Sequence, residues 1–519
     1  MYFSTYTNYK SPAMAEATAR LKRLSNTGQP QESFLYSCIT EFENSEELAM
    51  MNKAQKYYRN ENDIIERKRY YIDRRGIKQE VTNLSNARLP HPFLKKLTNQ
   101  KVNYLLGKEL TIQCDNDKFG EELGKYIDRS FLCILKNTGK HAILNGIAWI
   151  QPYYDREGNL KFKRIPSDEV IPFWADADHT ELDGVIRFYT MFEYDADGNK
   201  KEVVKVEYHT VEGVWYYIKG DKGLEPDLDA SPTGEVRGHF VVTKPVIDED
   251  GKPKLDENGN QVFVNEQATW ERIPFIAFKY NQDEISLLKW VKPLIDDYDI
   301  NTSDTSNTLQ DVPNSIKVVK NYDGTDKGEF VQNLATFRTV FVAGDGDMTT
   351  VENKLDIAAI DSHLNRLRKD IYEFGSGVDI QTENFGNASG VAIKFRYLDL
   401  DNDMQDMANE FSASLDNLIW FIKVDMLNKG IGDFMDEQYE IVFNTDNITN
   451  ESEIIASCRD SAGIISDETI LTNHPWVTDA TRELERMKRE REEMLNEDED
   501  EFGFGNENRN EDDQAEEVT

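Results

Sequence analysis

Cysteine is scarce and scattered. Cys38, Cys114, Cys133 and Cys458 show no CxxC spacing, which argues against a disulfide framework or a zinc array and for reduced thiols. Positive charge is in deficit, with 60 Lys and Arg against 96 Asp and Glu and a formal net charge of −36. A free-standing DNA binder carries a basic footprint, because phosphate neutralisation supplies most of its affinity. Tight nucleic-acid binding over the whole surface is therefore not expected, although such acidity suits a protein past which nucleic acid must slide without sticking. No uncharged apolar run reaches the roughly 20 residues needed to cross a bilayer. The opening "MYFSTYTNYKSPAMAEATARLKRL" has no continuous apolar core of the kind a signal peptide needs. The expectation is a soluble product, made inside a cell and without membrane association.

Catalytic patterns are also missing. The chain contains no GxxxxGK phosphate loop, no HExxH, no GxSxG and no Cys/His metal array. Its seven histidines, among them His141, His209 and His363, have no relay spacing, and His363 reads as a solvated or interface residue. The Asp/Asn/Gly cluster at Asp195 and Asp197 places Gly198 fourth rather than sixth, so the calcium-loop pattern fails and turn chemistry explains it. Asp296, Asp297 and Asp299 admit a two-metal nuclease reading. At helical spacing beside Lys289 and Lys292 they read more simply as a solvated helix face. No catalytic residue, metal or cofactor is expected.

What is present alternates between two periods. "SEELAMMNKAQKYYRNENDIIERKRYY" is helical in pattern, and "HPFLKKLTNQKVNYLLGKE" spaces Leu94, Leu97, Val102 and Leu105 as an amphipathic helix stopped at Gly107. From Gly146 to about residue 280 the pattern becomes that of strands and hairpins, beginning with "GIAWIQPYYDREGNLKFKRIP". Residues 284–312 then read as a long helix despite Pro293, with Leu288, Val291, Ile295, Tyr298, Thr302, Thr305, Leu309 and Val312 on one face. The polar second half of that face calls for neighbours that accept small polar side chains, such as copies of itself around a ring.

A compact β-like insert follows, carrying Lys317, Lys320, Lys327 and Arg338. Those cations read either as a protein-docking patch or as scattered surface charge. Asp356 is a good N-cap for a helix whose Ile357, Ile360, Leu364, Leu367, Ile371 and Phe374 alternate by three and four. Gly375, Gly377, Gly386 and Gly390 mark a permissive loop before a third helix, about 391–429, buried through Met404, Met407, Phe411, Leu415, Leu418, Ile422 and Met426. Residues 451–494 return to helix, with Ser452 and Ser466 as candidate caps, and the acidic run from Asn496 is expected to be disordered. The fold class is α+β.

Three stretches carry a family resemblance over about 45–490. "HPFLKKLTNQKVNYLLGKEL", "LKWVKPLIDDYDINTSDTSNTLQDVPNSIKVVKNYDG" and "ASGVAIKFRYLDLDND" resemble the portal proteins of tailed bacteriophages, in the branch common among phages of Gram-positive hosts. The resemblance implies a ring, usually of twelve subunits, with long helices around a central channel for double-stranded DNA. It implies an N-terminal extension (1–44), a wing (45–283, β-rich at 146–280) and a first stem helix (284–312). A clip (313–355), second stem helix (356–375), tunnel loop (376–390), long wing helix with a strand (391–450), crown (451–494) and disordered acidic tail (495–519) follow.

On this pattern Thr382, Glu383, Asn384, Phe385, Gly386, Asn387, Ala388 and Ser389 face the DNA. Lys289, Lys292, Arg366 and Lys369 are stem charges that modulate its repulsion, and Lys317, Lys320, Lys327 and Arg338 dock partners at the clip. The implied partners are further copies of the chain, the terminase large subunit, major capsid and scaffolding proteins, a head–tail adaptor and the DNA in transit. The implied location is the portal vertex of the virion, after assembly in the host cytoplasm. A portal has no ATPase activity of its own, in keeping with the missing phosphate loop. The competing readings are a metal-dependent nuclease using Asp296 and Asp297 and a capsid scaffold, although the long β block is unlike a predominantly helical scaffold.

Overall fold

The structure, a computed structural model, describes residues 31–73, 75–80, 85–194, 198–247, 254, 261–311, 316–320, 345, 347–351, 356–381, 390–444, 451–477 and 479–501. Helices α1 (Gln31–Glu43) and α2 (Glu46–Tyr58) lead into a small hairpin, β1 (Tyr70–Ile72) and β2 (Lys78–Glu80). Ser45 caps α2 by accepting from the Leu48 N–H. Helix α3 (Phe93–Leu106) ends at Gly107 as its sequence implies, and buries Leu94, Leu97, Val102 and Leu105. Strand β3 (Thr111–Cys114) and helices α4 (Asp117–Tyr126) and α5 (Arg129–Asn145) follow. Helix α5 stops at Gly146, whose φ of +86° suits glycine. An added Cβ there would meet the Glu284 carbonyl at 1.8 Å, so this turn also admits the close approach of residue 284, just ahead of the next long helix.

The β-rich block lies where its alternation places it. Strands β4 (Ile147–Tyr154) and β5 (Leu160–Ile165) form the expected hairpin, closed by Asp155, whose Oδ1 accepts from the Glu157 and Asn159 N–H groups. Next come β6 (Val170–Trp174), β7 (Leu182–Tyr194), β8 (Lys200–Thr210), β9 (Gly213–Lys219) and β10 (Leu224–Pro226), which make one antiparallel sheet in the order β10-β9-β8-β7-β6. Leu35 and Ile39 of α1 pack on one cluster of this sheet with Ile186 and Val206. Met51 of α2 packs with Val185, Trp149 and Phe275 in another. Strands β11 (Phe240–Pro245) and β12 (Phe263–Ala268) pair with each other, and β13 (Ile276–Lys279) pairs with β4.

Helix α6 (Leu287–Asp311) runs through Pro293. Strands β14 (Ile316–Lys320) and β15 (Asp347–Val351) pair antiparallel. Helix α7 (Ile357–Phe374) is capped by Asp356 through the Ala359 N–H. Helix α8 (Gly390–Asn428) precedes β16 (Tyr439–Val442), which pairs with β3. All seven apolar positions expected to bury α8 do so.

The chain divides into two compact units, residues 1–379 with 398–446 and residues 380–397 with 447–519. Within the second, α9 (Glu451–Ser461) and α10 (Asp467–Asn473) are joined through Gly463, and α11 (Ala480–Glu501) follows. Ser466 caps α10 as expected, whereas Ser452 lies inside α9 and is not its cap. Helix α11 passes Asn496 and reaches Glu501, because no Gly or Pro interrupts the chain before Gly503 and extending a formed helix is cheap. Among the described residues no helix is long and apolar enough to cross a membrane.

Candidate functional site

The candidate site is built on α6, α7 and the segment leading from α7 towards α8. Helices α6 and α7 run antiparallel: His363 lies 3.2 Å from Asp297, while Gly375 approaches Val291, nearer the start of α6. The buried stripe of α6 corrects the expected one. Leu288, Val291 and Ile295 are buried, but beyond Tyr298 the stripe is Asp299, Ser303 and Asn307, while Leu309 is exposed. These polar residues are satisfied within the same chain rather than by copies of the helix. Asn307 Oδ1 accepts from the Ala87 N–H at 2.6 Å, Ser303 Oγ from the Leu89 N–H at 3.0 Å and Asp299 Oδ1 from the His91 N–H at 3.0 Å.

Four helical residues advance about 6 Å and two extended residues about 6.6 Å, so every fourth side chain of α6 meets every second amide of the segment 85–92. Thr302 and Thr305 instead donate back to the Tyr298 and Asn301 carbonyls. The α7 seam is likewise partial: Leu367 and Ile371 are buried, but its ends, Ile357 and Phe374, are 62% and 59% exposed.

The three aspartates do not converge. Asp296 accepts from Tyr57 Oη and Lys292, Asp297 faces Asn301 and His363, and Asp299 is buried against Asn62 and His91. Each is committed to a separate structural pairing, which removes the geometric basis for a shared metal pair.

The proposed stem charges are not equivalent. Lys289, Arg366 and Lys369 are exposed. Lys292 is half-buried between Asp63 at 2.9 Å and Asp296 at 2.6 Å. Burial opposes its charge, but the two carboxylates outweigh that and hold its pKa above the ordinary value. Lys317 and Lys320 lie on β14; Lys327 and Arg338 lie outside the described residues, as do Thr382 to Ser389.

The start of the range read as a permissive loop is tightly held. A Cβ on Gly377 would fall 2.3 Å from Leu97 Cδ2, and one on Gly375 would fall 2.8 Å from Leu97 Cδ1. At these two positions glycine permits close packing on α3, not freedom. Gln100 donates to the Val378 carbonyl at 3.2 Å and accepts from its N–H at 3.0 Å. Arg368 grips Asp379 with two bonds of 2.6 and 2.9 Å, which raise its pKa.

Sequence reasoning missed the central residue here, Lys101. Its side chain is fully buried and bonds Asp403 and, at 3.1 Å, the Ser376 carbonyl. The signal was available, since a lysine falls on the apolar stripe of α3 between Leu97 and Leu105.

The family model "Phage portal protein, SPP1 Gp6-like" matches residues 41–497, and the chain belongs to this family of phage portal proteins. The portal protein of Bacillus phage SPP1 is 30% identical over 442 residues, covering 84% of this chain and 83% of that protein. The portal protein of Clostridium phage phiCD119 is 28% identical over 442 residues, covering 82% and 89%. A chain from the neck of a native GTA particle, computed with C12 symmetry, aligns over 74% of this chain and 90% of that one. Its TM-score is 0.37 at 10% identity, a likeness too weak to argue from. With the family comes the function of a phage portal protein, a structural, oligomeric component associated with the capsid.

Proposed function

We propose that twelve copies of the chain form a ring at one capsid vertex, whose central channel admits double-stranded DNA during packaging and releases it during ejection. In this reading residues 45–283 form the wing, 284–312 and 356–375 the stem, 313–355 the clip, 376–390 the tunnel loop, 391–450 the long wing helix with its strand, and 451–494 the crown. The clip, with Lys317, Lys320, Lys327 and Arg338, docks the terminase large subunit and later the head–tail adaptor. Major capsid and scaffolding proteins surround the ring during its assembly in the host cytoplasm. The terminase supplies the ATP-driven force, and the chain itself is not an enzyme.

The observation that carries this reading is the antiparallel α6–α7 pair flanking residues 313–355, inside one unbroken family match from 41 to 497. The net charge of −36 supports it, because an acidic wall repels phosphate and leaves DNA free to move. The test is negative-stain microscopy of the purified chain, with light scattering for mass. Rings with a central hole are expected, and a monomer at all concentrations would refute the reading. Gly386→Pro with Gly390→Pro then tests the loop by fixing φ and removing two donors. Rings should form and empty capsids accumulate, whereas packaging at the wild-type rate would remove the loop from the mechanism.

A further inference from the structure

Helix α3 lies outside the proposed stem and clip, yet three neighbouring side chains on it bond both the stretch that follows α7, at residues 376–378, and α8 itself, at Asp401 and Asp403. On the outgoing side Gln100 pairs with both polar groups of the Val378 backbone, and Lys101 donates to the Ser376 carbonyl at 3.1 Å. On the returning side Lys101 bonds Asp403, and Tyr104 donates to Asp401 at 2.6 Å. Tyr280 closes the node by donating to both oxygens of Asp403, at 3.0 and 2.8 Å. Ser376 has a φ of +46°, a conformation that residues other than glycine seldom adopt, and its carbonyl is the one Lys101 engages.

Placing an ammonium here is costly. Burial pushes the pKa of Lys101 down, with Asp403 opposing the shift. Buried ion pairs are poor stabilisers, and replacing both partners with well-packed apolar side chains is often neutral, so filling space alone does not call for a lysine here. What the lysine adds is direction, because one nitrogen holds a carbonyl at residue 376 and a carboxylate at residue 403 simultaneously.

We infer that Lys101 is a positioning residue that fixes the stretch following α7, at Ser376, and the body of α8, at Asp403, to a single point on α3. This deepens the portal reading by tying residues 376–378 and 401–403 to one helix, and for its effect on DNA it rests on that reading.

The test compares the full-length wild type with Lys101→Met and Lys101→Arg by hydrogen exchange and packaging assay. Methionine keeps much of the length without charge or donors, and arginine keeps both charge and donors. In Lys101→Met, exchange of peptides covering 376–381 and 398–404 should rise about tenfold while sheet peptides from 147–219 stay unchanged. Lys101→Arg should restore most of the protection, and packaging should fall with Lys101→Met alone. Unchanged exchange at 376–381 and 398–404, or an equal rise throughout, would overturn the inference. If Lys101→Met does not fold, Asp403→Asn replaces it with the same expected pattern, and failure to show it is equally decisive. If exchange rises as expected but packaging is normal, the positioning role stands and the reading that this segment meets DNA falls.

Discussion

His141 shows how far burial alone shifts a side chain. It sits on α5, its Nδ1 has no partner among the described residues, and its pKa is lowered to about 3 by burial, with Arg164 and Lys140 adding to the shift. The folded state therefore keeps it neutral where the unfolded chain, near pKa 6.5, takes up a proton. Its contribution to stability is present above about 6.5 and is lost as pH falls from 6.5 towards 3. His141→Leu should flatten the decline in melting temperature across that range, and parallel wild-type and variant curves would refute the assignment. Glu207 is shifted by the opposite balance. Burial would raise it, but His209, Arg187 and Tyr189 hold it down at about 2. The residue types were legible in the sequence and these environments were not, because strand neighbours such as Arg164 join the site only through sheet pairing. Lys101 lay between the two, its misplaced charge visible on an apolar stripe and its partners almost 300 positions away.

Among the elements, the long helices were readable because their apolar period is strong, and the expected bounds of α6, α7 and α8 differ from the structure by only a residue or a few. The face of α6 was not readable beyond Tyr298. "DINTSDTSN" offers two adjacent polar stripes, and only the path of residues 85–92 selects Asp299, Ser303 and Asn307 over Thr302 and Thr305. Asn307→Ala and Ser303→Ala should each cost about 1–3 kcal/mol by leaving a main-chain N–H without its acceptor. Thr302→Ala and Thr305→Ala, which remove only bonds back to the helix itself, should stay within about 0.5 kcal/mol. Denaturant midpoints on matched samples check this, and equal costs for the two pairs would contradict the stripe assignment. Gly375 and Gly377 were misread for a related reason. A sequence shows that a Cβ is missing but not whether the space is needed for motion or filled by Leu97.

For the whole molecule, the α+β class follows from the order helix, β block, paired helices, and family membership from the match over residues 41–497 together with 30% identity to the SPP1 portal protein. The acidic end of the chain belongs to the same scale. Ending the chain at Glu501 removes a run that is acidic and poor in apolar residues, so rings with an unchanged number of subunits should still form, as read by light scattering. Loss of rings would make that segment structural. The three rungs between α6 and residues 87, 89 and 91 have a mechanical consequence. Force along the helix axis loads all three together, as in shear, whereas force across it opens them in succession, as in peeling. A helix keyed in this way resists sliding far better than tilting, so thrust along the α6 axis passes into residues 85–92 and on to α3 rather than being absorbed by slippage.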